Sequence, residues 1–258
     1  MKNLLFSLCC LLAFTTGCKK DDNPPCSMDL GDGDCILDFE ETLVETFLYE
    51  DGTSYIYTYD AESRVVKIAN AEALFTFDYS LPGKVIRDIV NPLSGKTTGQ
   101  NVYSLENGLT AMVTRKDSNG TVVAVNVFDR NLDGTVKKIS YFDSNNQLLS
   151  YDEYEYDTDG NETAAKYRDK NGYLIYLTSS TYDSNAPQNT LITGKVFIWP
   201  DQPKRPTRTI FSDYTFNPNS PQTTTTNFTY ELDKFGRIIK ETQNDGTSSS
   251  VTQYVYKI

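Results

Sequence analysis

From about residue 38 onward, apolar and polar residues alternate in short segments rich in Val, Ile, Thr and Tyr. Residues 121–128, 161–168 and 173–182 are examples. Alternation with a period of two predicts half-buried β-strands, because successive side chains point to opposite faces. The segments are punctuated by Asp51-Gly52, Asn107-Gly108, Asn119-Gly120, Asp133-Gly134, Asp159-Gly160, Asn171-Gly172 and Asp245-Gly246. Such dipeptides tolerate the positive φ that tight hairpins require. No segment beyond the first 17 residues shows a helical period, so the only helix predicted is in the N-terminal leader.

A slower period overlies the alternation. Aromatic residues at predicted strand ends recur at Tyr59, Tyr79, Tyr103, Phe128, Tyr156, Tyr182, Tyr230 and Tyr256. One gap, from Tyr182 to Tyr230, is about two periods long, and a degenerate copy is expected near residue 206. Several copies share an aromatic-x-aromatic pair, an acid and then a turn: Tyr57-Thr58-Tyr59-Asp60, Tyr154-Glu155-Tyr156-Asp157 and Phe228-Thr229-Tyr230-Glu231. One hairpin per repeat gives roughly 16 antiparallel strands in meander order. The fold class is therefore all-β, a strongly twisted or curled sheet or a closed soluble barrel, since curling or closure hides the sheet edges.

The copy Tyr230-Glu231-Leu232-Asp233-Lys234-Phe235-Gly236-Arg237 resembles the YD repeat of Rhs proteins. The same grammar is similar to that of small Bacteroidota surface lipoproteins of unknown function, one family of which is described as having a porin-like fold. The resemblance spans most of residues 45–258 and implies architecture rather than activity. The chain departs from the strict repeat at Glu231, where Asp is usual, and at Ser63, where Gly would precede Arg64. A membrane-spanning barrel needs an unbroken apolar set on alternate residues. Lys137, Lys138, Glu162, Lys166 and Arg168 occupy both parities, so a soluble barrel is expected instead.

The leader supplies an address. Lys2 and the apolar run of residues 4–14 form the charged and hydrophobic parts of a secretory signal, too short for the roughly 20 residues of a bilayer span. Thr15-Thr16-Gly17-Cys18 resembles a bacterial lipobox, with Thr15 in place of the usual Leu. This implies cleavage after residue 17 and lipid on Cys18. Lys19, Lys20, Asp21 and Asp22 resemble the surface-export signal of Bacteroidota lipoproteins. The domains expected are a signal peptide at 1–17, a lipidated tether at 18–37 and the repeat domain at 38–258. The localisation expected is the outer membrane, lipid-anchored and facing the exterior. In that oxidising compartment Cys26 and Cys35 close a small disulfide loop within the tether.

Charge and composition narrow the chemistry. The chain has 24 Lys+Arg against 35 Asp+Glu, a formal charge of −11. That excludes nucleic acid as a partner. It has no histidine, which excludes His-based triads and His-ligated metals. Calcium is the one cofactor with a candidate site: Asp129, Asn131 and Asp133, with Gly134 at the bend, match the first half of a calcium loop. Position twelve of that template is Ser140, where a bidentate Glu belongs. Glu153 and Glu155 share one strand face and form a candidate carboxylate pair for glycoside hydrolysis. Residues 198–206 break the repeat, and Trp199, Lys204 and Arg205 make a candidate contact surface for a glycan or protein partner. The functional expectation is a non-catalytic binding or scaffold module. A polysaccharide hydrolase and a calcium-binding adhesion module are the alternatives.

The address makes a direct prediction. Mass spectrometry of the membrane fraction should find a mature N-terminus at Cys18 with acyl mass on its thiol and amine. Any other N-terminus, or an unacylated Cys18, would end the lipoprotein reading.

Overall fold

A computed structural model of the chain describes residues 43–183, 186–187 and 204–256. The signal helix, Cys18 with residues 19–22, Cys26, Cys35 and Trp199 lie outside the described residues. The described chain forms sixteen strands: β1 (Val44–Tyr49), β2 (Ser54–Tyr59), β3 (Val65–Ala69), β4 (Leu74–Asp78), β5 (Lys84–Val90), β6 (Thr97–Glu106), β7 (Leu109–Asp117), β8 (Val122–Arg130), β9 (Val136–Asp143), β10 (Leu148–Tyr156), β11 (Glu162–Asp169), β12 (Leu174–Thr181), β13 (Arg208–Asp213), β14 (Gln222–Leu232), β15 (Ile238–Asn244) and β16 (Ser249–Tyr256). Each strand pairs antiparallel with its sequence neighbours, and β1 pairs with β16 to close a barrel. Closure leaves no free edge, which settles the choice between curled sheet and barrel.

Most turns share one form. Asp157 N donates to Asn161 O at 2.9 Å and Gly160 N donates to Asp157 O at 3.1 Å, with Gly160 at φ +85°. This is a three-residue turn closed by a bulge rather than a two-residue hairpin. Ser63, at φ 59°, fills the left-handed position in one copy, which accounts for the missing Gly. Asn107-Gly108 alone has positive φ at both central residues, with Glu106 opposite Leu109. Bulges interrupt the register of most hairpins, for example between Glu155 and Tyr156. They add the twist and bend that a closed sheet needs.

The aromatic ladder has a structural cause. Residues opposite one another across a ladder share a face. Traced through the pairings, Tyr59, Tyr103, Tyr156, Tyr230 and Tyr256 all fall on one face, as do Val44, Val85 and Ile238. Nearly all the buried hydrophobic residues fall there too, so this face lines the barrel interior. Six ladder tyrosines donate their hydroxyls to a backbone carbonyl near the start of the preceding strand: Tyr59 to Val44, Tyr79 to Val65 at 2.8 Å, Tyr156 to Val136 at 2.9 Å, Tyr182 to Glu162 at 2.9 Å, Tyr230 to Pro206 at 2.7 Å and Tyr256 to Ile238 at 2.7 Å. Phe128 has no hydroxyl, and there Arg130 reaches the Thr110 carbonyl instead, through Nε at 3.2 Å and Nη2 at 3.0 Å. The degenerate copy expected near residue 206 is the point where Pro206 accepts from Tyr230.

The acid and arginine of the repeat serve the same end of the barrel. Asp60 Oδ1 accepts from the Glu62 and Arg64 amides, and its Oδ2 accepts from Arg64 Nε at 2.7 Å. Asp233 does the same for Phe235 and Arg237. The guanidinium then lies over the next ladder ring, Arg64 over Tyr79 at 4.6 Å and Arg237 over Tyr256 at 4.5 Å.

The ring of tyrosines should carry stability in two separable parts. Tyr156→Ala and Tyr182→Ala should each cost about 2–4 kcal/mol from lost packing. The Phe variants should cost about 1 kcal/mol for the hydroxyl bond alone. Urea denaturation measures both; near-zero losses for the Ala variants would place these rings outside the packed interior.

Candidate binding site

The interior is packed at one end and open at the other. β1 begins and β16 ends at the same end as the tyrosine ring, and the deepest side chains lie in that half: Leu43, Val44, Val85, Val136 and Ile238 are all nearly inaccessible. Two apolar clusters form there, one around Val44, Ile238, Tyr254 and Tyr256, the other around Val85, Tyr103 and Val113. Toward the opposite mouth the inner wall opens to water. Tyr49 is 40 % exposed and Phe211 41 % exposed, although Ser212, on the outer face beside Phe211, is only 7 % exposed. The interior is thus a cup, with a packed floor at the terminal end and an accessible upper wall.

Aromatic rings line that wall in rows. On β11–β13, Tyr167, Tyr176 and Phe211 lie side by side, with centroids 5.6 and 5.4 Å apart and ring planes within 21° and 30° of parallel. Near the β1–β16 seam, Phe47 contacts Tyr57 at 5.2 Å and Tyr254 at 5.0 Å, and Tyr49 meets Tyr55 edge-on at 5.9 Å. These are cross-strand and diagonal neighbours on the inner face, brought together by register alone.

Two polar groups interrupt the aromatic lining. Asp152 accepts hydrogen bonds from Tyr141 and, at 3.2 Å, from Tyr154. Burial raises its pKa even against those bonds. Glu162 lies near it on β11, and burial, with the neighbouring Asp152 charge, pushes its pKa up to about 7. On the other side, Glu241 of β15 is only 3 % exposed and is paired with Arg205 Nη2 at 2.6 Å. Gln243 Nε2 donates to the same carboxylate at 2.9 Å, and the Tyr254 hydroxyl lies 3.4 Å from it.

The residues singled out in the sequence fall in different places. Arg205 is the partner of buried Glu241 rather than a free surface cation, and its amide donates to Pro187 O at 3.0 Å. Lys204 is held beside it by a bond from its amide to Asn161 Oδ1 at 3.0 Å. Both lie at the floor end, while Trp199 falls outside the described residues. Asp129 is on the outer face of β8, opposite Lys138. Asn131 and Asp133 close the following turn, where both bond to the Thr135 hydroxyl, at 2.9 and 2.7 Å. Among the described residues no group of three His, Cys, Asp or Glu side chains is placed to hold a metal. Glu153 and Glu155 do share a face, but it is the outer one, where Glu153 pairs with Arg168 at 2.8 Å and Glu155 with Lys166.

The sequence reading missed the interior groups Asp152, Glu162, Tyr141 and Glu241. For Asp152 the available signal was parity, since it alternates with Tyr154 and the ladder residue Tyr156 on β10 whereas Glu153 and Glu155 do not; Tyr141, Glu162 and Glu241 lie on strands without a ladder tyrosine and needed the register.

No family model matches the chain, and no curated protein matches it. Solved structures do share its fold. A porin-like protein from Bacteroides uniformis superposes with a TM-score of 0.58 at 15% identity, covering 84% of this chain and 98% of its own. A porin-like protein from Bacteroides vulgatus gives 0.58 at 12% identity, covering 83% and 98%. The fold is therefore porin-like.

The raised pKa of Glu162 makes stability depend on pH. A raised folded-state value means that the protonated carboxyl favours the fold below its ordinary 4.5, and that this contribution is lost as pH rises through about 7. Glu162→Gln should therefore leave the melting temperature little changed at pH 5 and raise it at pH 8. A gain that is equal at both pH values would show that Glu162 does not titrate in this window.

Proposed function

We propose that the protein is a lipid-anchored, non-catalytic binding module of the outer membrane whose open cup takes a saccharide. The observation that carries this reading is the row Tyr167–Tyr176–Phe211 on the water-accessible inner wall. Flat aromatic faces in register along a wall suit the apolar faces of successive sugar rings. Neighbouring Thr178, Thr224 and Asp152 supply polar partners of the kind sugar hydroxyls need.

Attachment through lipid rather than by spanning the bilayer is supported by the outer wall. Lys67, Asp88, Lys138, Glu153, Lys166 and Lys240 all face outward within strands. A basic residue there at the bilayer midplane costs about 2–4 kcal/mol. The Cys18 lipobox supplies the alternative anchor, and the Lys19–Asp22 segment supports display on the exterior. The described chain enters β1 at the floor end of the barrel.

A hydrolase built on Asp152 and Glu162 is the second reading, since a buried carboxyl raised to about 7 is what a general acid requires. Its weakness is that burial raises Asp152 as well, which opposes the ionised partner such chemistry needs.

The mature chain with Cys18→Ser, screened against glycan and peptide panels, tests the proposal. Binding of a saccharide should weaken at least tenfold in Phe211→Ala and in Tyr176→Ala, about the weight of one stacked aromatic contact. Binding that is indifferent to both changes would remove the inner wall from consideration. Turnover of a polysaccharide abolished by Glu162→Gln would replace this reading with the enzyme.

A further inference from the structure

We propose that Arg87, Asn101 and Arg115 form an anion subsite on the inner wall of β5–β7, one that selects a carboxylate-bearing saccharide such as a uronic acid oligomer. This rests on the saccharide reading of the cup and gives that ligand a charge.

The three residues are adjacent in register. Arg87 stands opposite Asn101, and Asn101 opposite Arg115, on the face that carries Tyr103 and Val113. Two strand spacings put the two arginine Cα atoms roughly 10 Å apart, within reach of one small anion for side chains of this length. Asn101 is only 8 % exposed; with its amide turned to satisfy its neighbours, its oxygen accepts from Arg87 Nη2 and its nitrogen donates to Gln100 O at 3.2 Å. The Arg87 guanidinium is further fixed between rings, 5.3 Å from the Phe75 centroid and 5.8 Å from that of Tyr103. One arginine is thus held in place, and the other, Arg115, is exposed beside it.

Neither cation is neutralised. Among the described residues no carboxylate forms an ion pair with Arg87 or Arg115, although the chain as a whole is strongly acidic. Arg87 Nε is buried with no acceptor. A desolvated guanidinium without a counter-charge is costly, and an arriving carboxylate would relieve that cost. Four of the six other arginines, Arg64, Arg168, Arg205 and Arg237, each have a carboxylate partner, and Arg130 is held by the Thr110 and Gly134 carbonyls.

The neighbouring backbone is closely packed. One inner-face position nearer the mouth than Asn101, β6 carries Gly99, so bare backbone lies there, flanked by Ile89 and Asp117. A Cβ at Gly99 would come within 3.2 Å of the Lys116 carbonyl and 3.7 Å of Ile89 Cδ1, which explains why the position carries no side chain. The Asp117 carboxylate is occupied by the Asn119 and Thr121 amides, both at 2.9 Å. A planar carboxylate over this patch meets donors from both sides, the geometry in which arginine excels.

Calorimetric titration of the mature Cys18→Ser chain tests the subsite, with a uronic acid oligomer, the same oligomer after carboxyl reduction, and an acidic peptide. The acidic oligomer should bind at least tenfold more tightly than its reduced form, as expected for charge-assisted hydrogen bonds. Arg115→Met should erase that preference and leave affinity for the reduced oligomer unchanged. Arg87→Met should do the same, and because Arg115 is exposed its variant remains informative if the Arg87 variant melts early. Equal affinity for the two oligomers, or a preference that survives both changes, would overturn the anion subsite while leaving the saccharide reading intact. Absence of binding by either oligomer would overturn both. An acidic peptide bound as tightly as the uronic acid oligomer would overturn the saccharide part of the assignment.

Discussion

A sixteen-stranded barrel is too wide for side chains from its walls to meet and fill it, and the rest of this structure follows from that constraint. Stability has to be assembled hairpin by hairpin. The tyrosine hydroxyl bonded to the carbonyl near the start of the preceding strand does this locally, tying the end of each hairpin to its own beginning. Tyr256 also packs in one apolar cluster with Ile238, the residue whose carbonyl it bonds. The Asp-capped turn then holds an arginine over the next ring. Repetition of this unit gives a floor without a single central core. The upper wall carries no such lock, and there the aromatic rings stay accessible.

The strand number, the meander order and the ladder were legible because each is written in local pattern. Alternation, turn dipeptides and the tyrosine period operate within about 30 residues. Closure was not legible in this way: β1 and β16 lie at opposite ends of the described chain, and both strands read like their neighbours. The Arg205–Glu241 pair was hidden for a related reason. Its members are 36 residues apart, and the arginine belongs to a segment that breaks the repeat. Phe128 looked like a simple ladder variant, yet its missing hydroxyl is replaced by Arg130, a compensation visible only once Thr110 is known to lie beneath it.

Parity separates the candidate sites that the sequence offered from those the barrel brings together. Glu153 and Asp152 are neighbours in sequence and occupy opposite environments. Glu153 faces outward against Arg168, while Asp152 faces inward between two tyrosines. An acidic pair two residues apart therefore says nothing about function until the inner face is known. The ladder tyrosines identify that face, because their hydroxyls must find acceptors when buried. Applied to β5–β7, the same rule turns Arg87 and Arg115 inward, although arginines in a strand of a soluble protein are ordinarily read as surface residues.

The distribution of polarity across the wall bears on how such a barrel is used. A membrane barrel presents apolar residues to lipid and polar residues to its lumen. Here the aromatic residues concentrate on the lumen side, while the outer wall mixes exposed aliphatic residues such as Ile56, Val123 and Val127 with ion pairs such as Lys240–Glu231 and Arg168–Glu153 that bridge strands. A lumen lined by rings does not favour passage of small hydrated solutes, which need a polar path. It suits the proposed retention of a ligand with apolar faces, to which the proposed arginine subsite would add selectivity by charge at a wall where the chain's overall acidity would otherwise repel an anion.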